Sequence, residues 1–455
     1  MAISFSTVTF TVGSGTETTA SLYTWINTNQ NGKMTRSGSE GSYVYTFTGN
    51  YVLNIAVGAT FNMATGDTIQ WALTANTVVL DIRGEFNAVE NCILKGYSAT
   101  AYEADLAIYG KLDLQGTSGN TAKLQYFDEI NFYNLYGTVG SDWDWAEVSN
   151  FYGTTNASLG LVTRYSTNFK NIPCTFDNVT LTGADNGVSF TLNTGNLLNF
   201  TFNNITSTNV YNHFQGMAVV KFSNSSFTSA YNYAFTNSGM AFPQNYQTSR
   251  TDRVRNKLHG YNQPKVTFDT CTFSDNYNNA ATKYNVHYMY GCVVKFKDCT
   301  FSNANYGLLA YNDSTFLFQG TTTNTCTTPL AWSYGTVLHV RALTMTVKDI
   351  SGNAIDNATV FVNQSQDYES HMFLTNSSGQ VKDCFGDDPV FAEKEQTAAA
   401  TYVNWSDSIA SGRYHTIHVY ADGYQPWTKN VEFTADRTVD ATLYPIQGIR
   451  AISQT

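Results

Sequence analysis

The chain has 455 residues and a formal net charge of −10, with 13% charged and 15% aromatic residues. An acidic balance lacks the basic footprint that nucleic-acid binding needs. No apolar run is long enough for a bilayer span, and the aromatic and β-branched content is too high for a disordered chain. Asn and Thr abound while runs of Ala, Leu, Glu and Lys are scarce, so strands joined by tight turns are expected. The opening Met1-Ala-Ile-Ser-Phe-Ser-Thr-Val-Thr-Phe10 alternates like a strand and lacks the charged and apolar regions of a signal peptide. Synthesis in a cytoplasm is the corresponding expectation. Residues 1–50 show no repeat and are expected to form a cap or attachment segment, with Leu22-Tyr-Thr-Trp-Ile26 as a short amphipathic piece.

Residues 51–341 carry a six-residue pattern: apolar, any, Asn/Asp/Thr, small apolar, Thr/Ser, apolar. It appears as Phe176-Asp-Asn-Val-Thr-Leu181, Phe202-Asn-Asn-Ile-Thr-Ser207, Phe222-Ser-Asn-Ser-Ser-Phe227, Phe268-Asp-Thr-Cys-Thr-Phe273 and Phe296-Lys-Asp-Cys-Thr-Phe301. Weaker copies are Val89-Glu-Asn-Cys-Ile-Leu94 and Phe318-Gln-Gly-Thr-Thr-Thr323. First residues from Phe176 onward are 26, 20, 46, 28 and 22 residues apart. Coils of this size without a helical pattern predict a β-solenoid. The third column (Asn91, Asn178, Asn204, Asn224, Thr270, Asp298) suits a left-handed bend, and stacked Asn side chains can bond along the axis. The fourth (Cys92, Val179, Ile205, Ser225, Cys271, Cys299, Thr321) suits a small inward stack. Seven Cys, an odd number with no CxxC pair, disfavour a disulfide framework or zinc site. Three of them fall in the fourth column and read as small core residues. A Cys271–Cys299 disulfide is sterically compatible, but the column does not require it.

Within the repeat region, Ser141-Asp-Trp-Asp-Trp-Ala-Glu147 is the best acidic and aromatic patch. Trp143 and Trp145 could stack on sugar rings, and Asp142, Asp144 and Glu147 could act as acid or base. No second group at a known spacing fixes a reaction, so an exposed contact loop is the favoured reading. Asn276 to Tyr290 reads as an expanded loop whose Tyr284, Tyr288 and Tyr290 are candidates for contact with a glycan or partner. Ser229 to Pro264 reads as another loop, and Arg250, Arg253, Arg255, Lys257 and Lys265 as a solvated basic stretch.

After Val340 the pattern changes. Leu343 to Val362 reads as strand, turn at Ser351-Gly-Asn353, strand. Thr375-Asn-Ser-Ser-Gly-Gln-Val381 reads as another turn leading into a strand, His415 to Tyr420 as a strand, and Val431-Glu-Phe433 and Ala441-Thr-Leu-Tyr-Pro445 as the segments that close the unit. His415 and His418, three apart on a strand, point to opposite faces and make no metal pair. Asp383, Asp387 and Asp388 around Gly386 offer the oxygen ligands Ca2+ takes, but their spacing is not that of an EF-hand and an ordinary acidic turn is favoured. No other cofactor is expected.

The repeat resembles the right-handed parallel β-helix proteins, among them pectate lyases and bacteriophage tailspikes. Asp349-x-x-Gly352-x-x-Ile355-x-x-Ala358-x-Val360, Thr375-x-x-x-Gly379, Ala421-x-Gly423-Tyr424 and Leu443-x-Pro445 are similar to the carboxypeptidase regulatory-like (transthyretin-like, immunoglobulin-like) β-sandwich family over 342–446. An all-β chain is therefore expected: β-helix over 51–341, antiparallel β-sandwich over 342–446, and a tail at 447–455. The resemblances imply a non-enzymatic component of a virus particle: a head fibre, decoration protein or tail-associated adhesin, homotrimeric, contacting other virion proteins and host cell-surface polysaccharide. A tailspike-type polysaccharide hydrolase or lyase is the alternative, and a bacterial surface adhesin the second.

Overall fold

The computed structural model describes residues 3–75, 77–96, 104–149, 158–163, 172–183, 187–192, 197, 199–210, 212–216, 219–230, 235–238, 266–276, 284–286, 289–290, 293–311, 315–333, 336–364, 370–395 and 414–446. Three long sheets of 11, 14 and 12 strands, nearly all parallel, run along one axis, the coils giving one strand to each in turn; in the last coils a three-stranded parallel sheet of Tyr284–Val286, Tyr306–Tyr311 and Thr328–Ser333 stands in for the first. The register stacks like over like: Phe176 pairs with Phe202, Phe202 with Phe222, Phe222 with Phe268, Phe268 with Phe296 and Phe296 with Phe318. This is a parallel β-helix.

One left-handed residue turns the chain from the second sheet to the third. Asn91, Asn178, Asn204, Asn224, Thr270 and Asp298 have φ of 59°, 54°, 53°, 50°, 56° and 50°. Asn tolerates this region because its short polar side chain can hydrogen-bond locally, which offsets the crowding of Cβ against the following carbonyl. The carboxamides then bond between rungs. Asn178 Nδ2 donates to Asp144 at 2.9 Å, Asn203 Nδ2 to Asp177 at 2.9 Å, Asn224 Nδ2 to Asn203 Oδ1 at 2.8 Å, and Asn204 Nδ2 to Asn178 Oδ1. Behind the turn, Cys92, Val179, Ile205, Ser225, Cys271 and Cys299 are all buried. Two copies slip by one residue. Thr321 is exposed and Thr322 takes the inward place. Likewise Ala88 is buried, while Val89 faces outward, half-buried. In both coils the turn holds an additional residue.

The axial core is aromatic. Ring centroids along Trp143, Phe176, Phe202, Phe222, Phe268, Phe296 and Phe318 are 5.2, 4.9, 5.0, 5.7, 5.5 and 5.4 Å apart. Burying each contributes roughly 2–3 kcal/mol, and each ring pair about another 0.5–1.5 kcal/mol. A polar thread also runs inside. Ser189 and Ser207 hydroxyls meet at 2.7 Å, Ser207 Oγ is 2.7 Å from His213 Nδ1, and His213 Nε2 is 2.8 Å from Asn276 Oδ1. Asn276 Oδ1 also accepts from Ala230 N, so His213 carries its proton on Nε2 and accepts from Ser207 on Nδ1. Burial pushes the His213 pKa down to about 4.

The solenoid begins earlier than the repeat does. Thr9–Val12, Gly15–Thr18 and Val44–Phe47 pair in parallel with strands of the next coil. Their coil is disguised by an inserted helix, Thr19–Asn29, which buries Leu22 and Ile26 against the end of the core. Thr18 caps it, accepting from Ser21 N while Ser21 Oγ accepts from Thr18 N. The Thr19 hydroxyl donates to buried Asp67.

At the other end one strand, Thr336–Asp349, serves both halves of the molecule. Its start pairs in parallel with Thr315–Gln319 of the solenoid, and residues 343–349 pair in parallel with 437–443. Those pairs form one layer against a four-stranded antiparallel sheet of Ser370–Leu374, Thr359–Gln364, Tyr414–Tyr420 and Trp427–Glu432. Leu343, Met345, Val347, Val360, Val362, Ile417, Val419 and Phe433 share the core between them. The expected boundary at 341/342 thus falls mid-strand, with no linker. His415 is buried against Phe433 and His418 half-buried on the other face, as their spacing predicts.

The acidic turn at 383–388 locks the junction. Lys295 Nζ, on the second sheet, lies 3.0 Å from Asp383 and 3.5 Å from Asp387, and Lys221 Nζ lies 2.9 Å from Asp387. Burial pushes the Asp387 carboxyl up, but its bond from Lys221 and the charge of Lys295 hold it below the usual carboxylate range. Lys382 meets Asp388 at 2.7 Å. The three carboxylates considered for Ca2+ therefore face lysines. Among the described residues no group of three or more His, Cys, Asp or Glu could hold a metal.

Candidate functional site

Residues 141–149 form one corner of the solenoid. Asp142–Asp144 is a strand of the second sheet and Ala146–Ser149 a strand of the third. Trp145 is the turn residue between them, with φ of 50°, in the row that other coils fill with Asn. Alternation then fixes each side chain. Asp142 points out and is exposed, Trp143 points in, Asp144 points out, and Glu147 points out on the neighbouring sheet.

Trp143 is fully buried, and its Nε1 donates to Leu112 O at 2.9 Å. Its assignment as a sugar or partner contact is corrected: it replaces phenylalanine in the core stack and offers no face to a ligand. Trp145 is half-buried and stays a candidate contact. Asp144 accepts from Asn178, and Glu147 pairs with Lys123 at 3.0 Å. The two carboxylates lie on different sheets, on either side of Trp145.

Composition alone misses a further carboxyl group at this corner. Asp113 stands beside Asp142 on the adjacent rung, since Leu114 pairs with Trp143. It accepts from Asp142 N at 2.9 Å and pairs with Lys111, which also meets Glu85 at 3.1 Å. Burial raises the Asp113 carboxyl above its ordinary range despite those partners. The signal was present in Lys111-Leu-Asp-Leu-Gln115, an alternating strand whose outward residues are Lys, Asp and Gln.

A ring cluster flanks the preceding corner. Tyr109 stacks on Tyr133 at 4.4 Å, with Tyr136 at 6.5 Å, and the Arg83 guanidinium lies 5.5 Å from the Tyr109 ring while pairing with Asp81 at 3.1 Å. The tyrosines proposed from sequence are elsewhere. Tyr284 pairs with Tyr306, and Tyr290 with Ser238, on coils five rungs further along, roughly 24 Å away. Tyr288 and the basic stretch Arg250 to Lys265 lie outside the described residues.

Cys92, Cys174, Cys271, Cys299, Cys326 and Cys384 are free thiols. Burial and the neighbouring Cys271 hold the Cys299 thiol well above its ordinary range, which keeps it protonated and poorly nucleophilic. No helix is long and apolar enough to cross a membrane among the described residues. No protein-family model matches the chain, and no curated protein does.

Proposed function

We propose that the chain is a non-enzymatic structural component of a bacteriophage particle, a fibre, decoration protein or tail-associated adhesin that presents its solenoid and sandwich to a surface or glycan. The observation that carries this reading is the linker-free junction. One strand runs through both parts, and a Lys–Asp pair is sealed between them. Such a joint suits a rigid presenter, since jointed domains otherwise move relative to one another. The low charge and capped, continuously paired solenoid agree with a protein working outside a cell. The glycan contact is assigned to Trp145 with Asp142 and Asp144 beside it, an aromatic ring flanked by acceptors.

One observation favours a polysaccharide-cleaving enzyme as the second reading: Asp113 and Asp142 are neighbouring carboxyl groups, one buried and raised, one exposed. One experiment separates the readings. Purified protein is incubated with capsular polysaccharide and lipopolysaccharide, and binding, new reducing ends and unsaturated uronates are measured. Retention without cleavage, weakened by Trp145→Ala, supports the adhesin. Cleavage lost in Asp113→Asn, Asp142→Asn, Asp144→Ala or Glu147→Ala overturns it. Antibody labelling of purified particles tests the virion assignment, and unlabelled particles refute it.

A further inference from the structure

The lysines of the second sheet near the junction are not alike. The side chains of Lys221 and Lys297 are 23% and 35% exposed, and each pairs with an aspartate within reach of water. Lys295 is sealed: its side chain is 0% exposed and that of Asp383 2%. On the sheet Lys295 lies between Thr267 and Leu317, and Leu317 pairs onward with Leu338. These three neighbours are buried, and the leucines pack with Val340 and Val390. The two oxygens of Asp383 are held differently. Oδ1 accepts from Phe385 N at 2.8 Å and from Asp387 N at 3.0 Å. Oδ2 faces Lys295 Nζ at 3.0 Å, and Asp387 Oδ2 lies 3.5 Å from the same nitrogen. Two N–H groups on one carboxyl oxygen stabilise the charge that gathers there when a nucleophile adds to the carbon. An amine, a carboxyl group so cradled and a second carboxylate make a set for acyl transfer.

We propose that Lys295 Nζ and Asp383 Cγ condense to an amide, an internal isopeptide bond between solenoid and sandwich, with Asp387 relaying a proton. One proton first passes from the ammonium to Asp383 Oδ2, which leaves a neutral amine and a neutral carboxyl group, the forms a dry site favours over two charges. The Nζ lone pair adds to Cγ, and charge gathers on Oδ1 between its two N–H donors. Asp387 takes a second proton from Nζ and passes it to Oδ2. The Cγ–Oδ2 bond breaks, Oδ2 leaves as water with both protons, and the nitrogen keeps its third. The step consumes no oxidant, reductant or cofactor. In water, hydration of the two ions opposes amide formation; burial removes that hydration, and the fold holds the reacting groups together. The reaction follows folding, so the ion pair is its starting state. The bond joins residues 88 apart in sequence and spans the shared strand. It holds whether or not the chain belongs to a virion.

The test is the intact mass of the full chain, read by mass spectrometry after denaturation and followed from folding through ageing at neutral pH. The 50.3 kDa species is expected to give way to one lighter by a single water. Its tryptic digest is expected to contain a branched peptide in which Lys295, left uncut, is joined to the segment carrying Asp383. Asp383→Ala is expected to keep its full mass, and a folded Asp387→Asn to convert at least about a hundredfold more slowly. The mass of the unaltered chain depends on no variant folding. Full mass throughout the ageing of the folded chain overturns the proposal. So does a lost water without the branched peptide, which is a succinimide within one segment, or an unchanged rate in Asp387→Asn.

Discussion

Lys295→Met removes the charge facing Asp383 while keeping most of the side-chain volume. The Lys295 side chain is 0% exposed and that of Asp383 2%, with 3.0 Å between charges. Asp387 keeps Lys221 at 2.9 Å, so the variant strands one buried carboxylate, not two. Breaking a buried pair from one side costs about 3–5 kcal/mol, because the remaining charge has neither water nor a counter-charge. Asp383 also accepts from Phe385 N and Asp387 N. Those bonds survive in the double variant Lys295→Met/Asp383→Asn, which removes both charges. The double variant is therefore expected to recover more than half of the loss. Scanning calorimetry and urea titration of the full chain, followed by tryptophan fluorescence, measure both. A single variant within about 1 kcal/mol of the unaltered chain would mean that water reaches the pair, and the sealed junction would be wrong.

The other predictions rest on the turn row and the buried thread. Thr270, β-branched at φ of 56°, is expected to gain about 1 kcal/mol in thermal denaturation when changed to Asn; no gain would refute the strain. Trp145→Asn is expected to stabilise by a similar amount while weakening glycan retention, and a stability gain with full retention would remove Trp145 from the contact. His213, normally near 6.5 and held at about 4 in the fold, binds its proton more readily when unfolded. Its contribution is thus complete above pH 6.5 and lost as pH falls toward 4, by at most about 3 kcal/mol. Urea midpoints across that window should fall in the unaltered chain, and the part due to this residue should vanish in His213→Gln.

The solenoid was legible because its corner demands one backbone conformation. Asn178, Asn204 and Asn224 announce it, and the buried residue after each follows from strand alternation. Trp143 was misread although it obeys the rule: Trp143-Asp-Trp-Ala-Glu-Val148 fits the same six places as Phe176-Asp-Asn-Val-Thr-Leu181. Trp145 in the Asn place hid the match, since local preference argues against a bulky left-handed residue. Val89 and Thr321 were each misplaced by one because a turn of variable length breaks a fixed count. The first coil was hidden by the helix inserted into it. The Lys295–Asp383 lock and the Asp113–Asp142 pair depend on which rungs meet across long stretches of chain, which local periodicity does not encode.

The shared strand Thr336–Asp349 also bears on how the molecule is made. Each solenoid rung lies against the one synthesised just before it, so coils can be added in order as the chain emerges. The far end of that strand cannot finish this way, because residues 343–349 must await 437–443. A ribosome stalled in between would leave residues 343–349 without the strand that completes their layer of the sandwich.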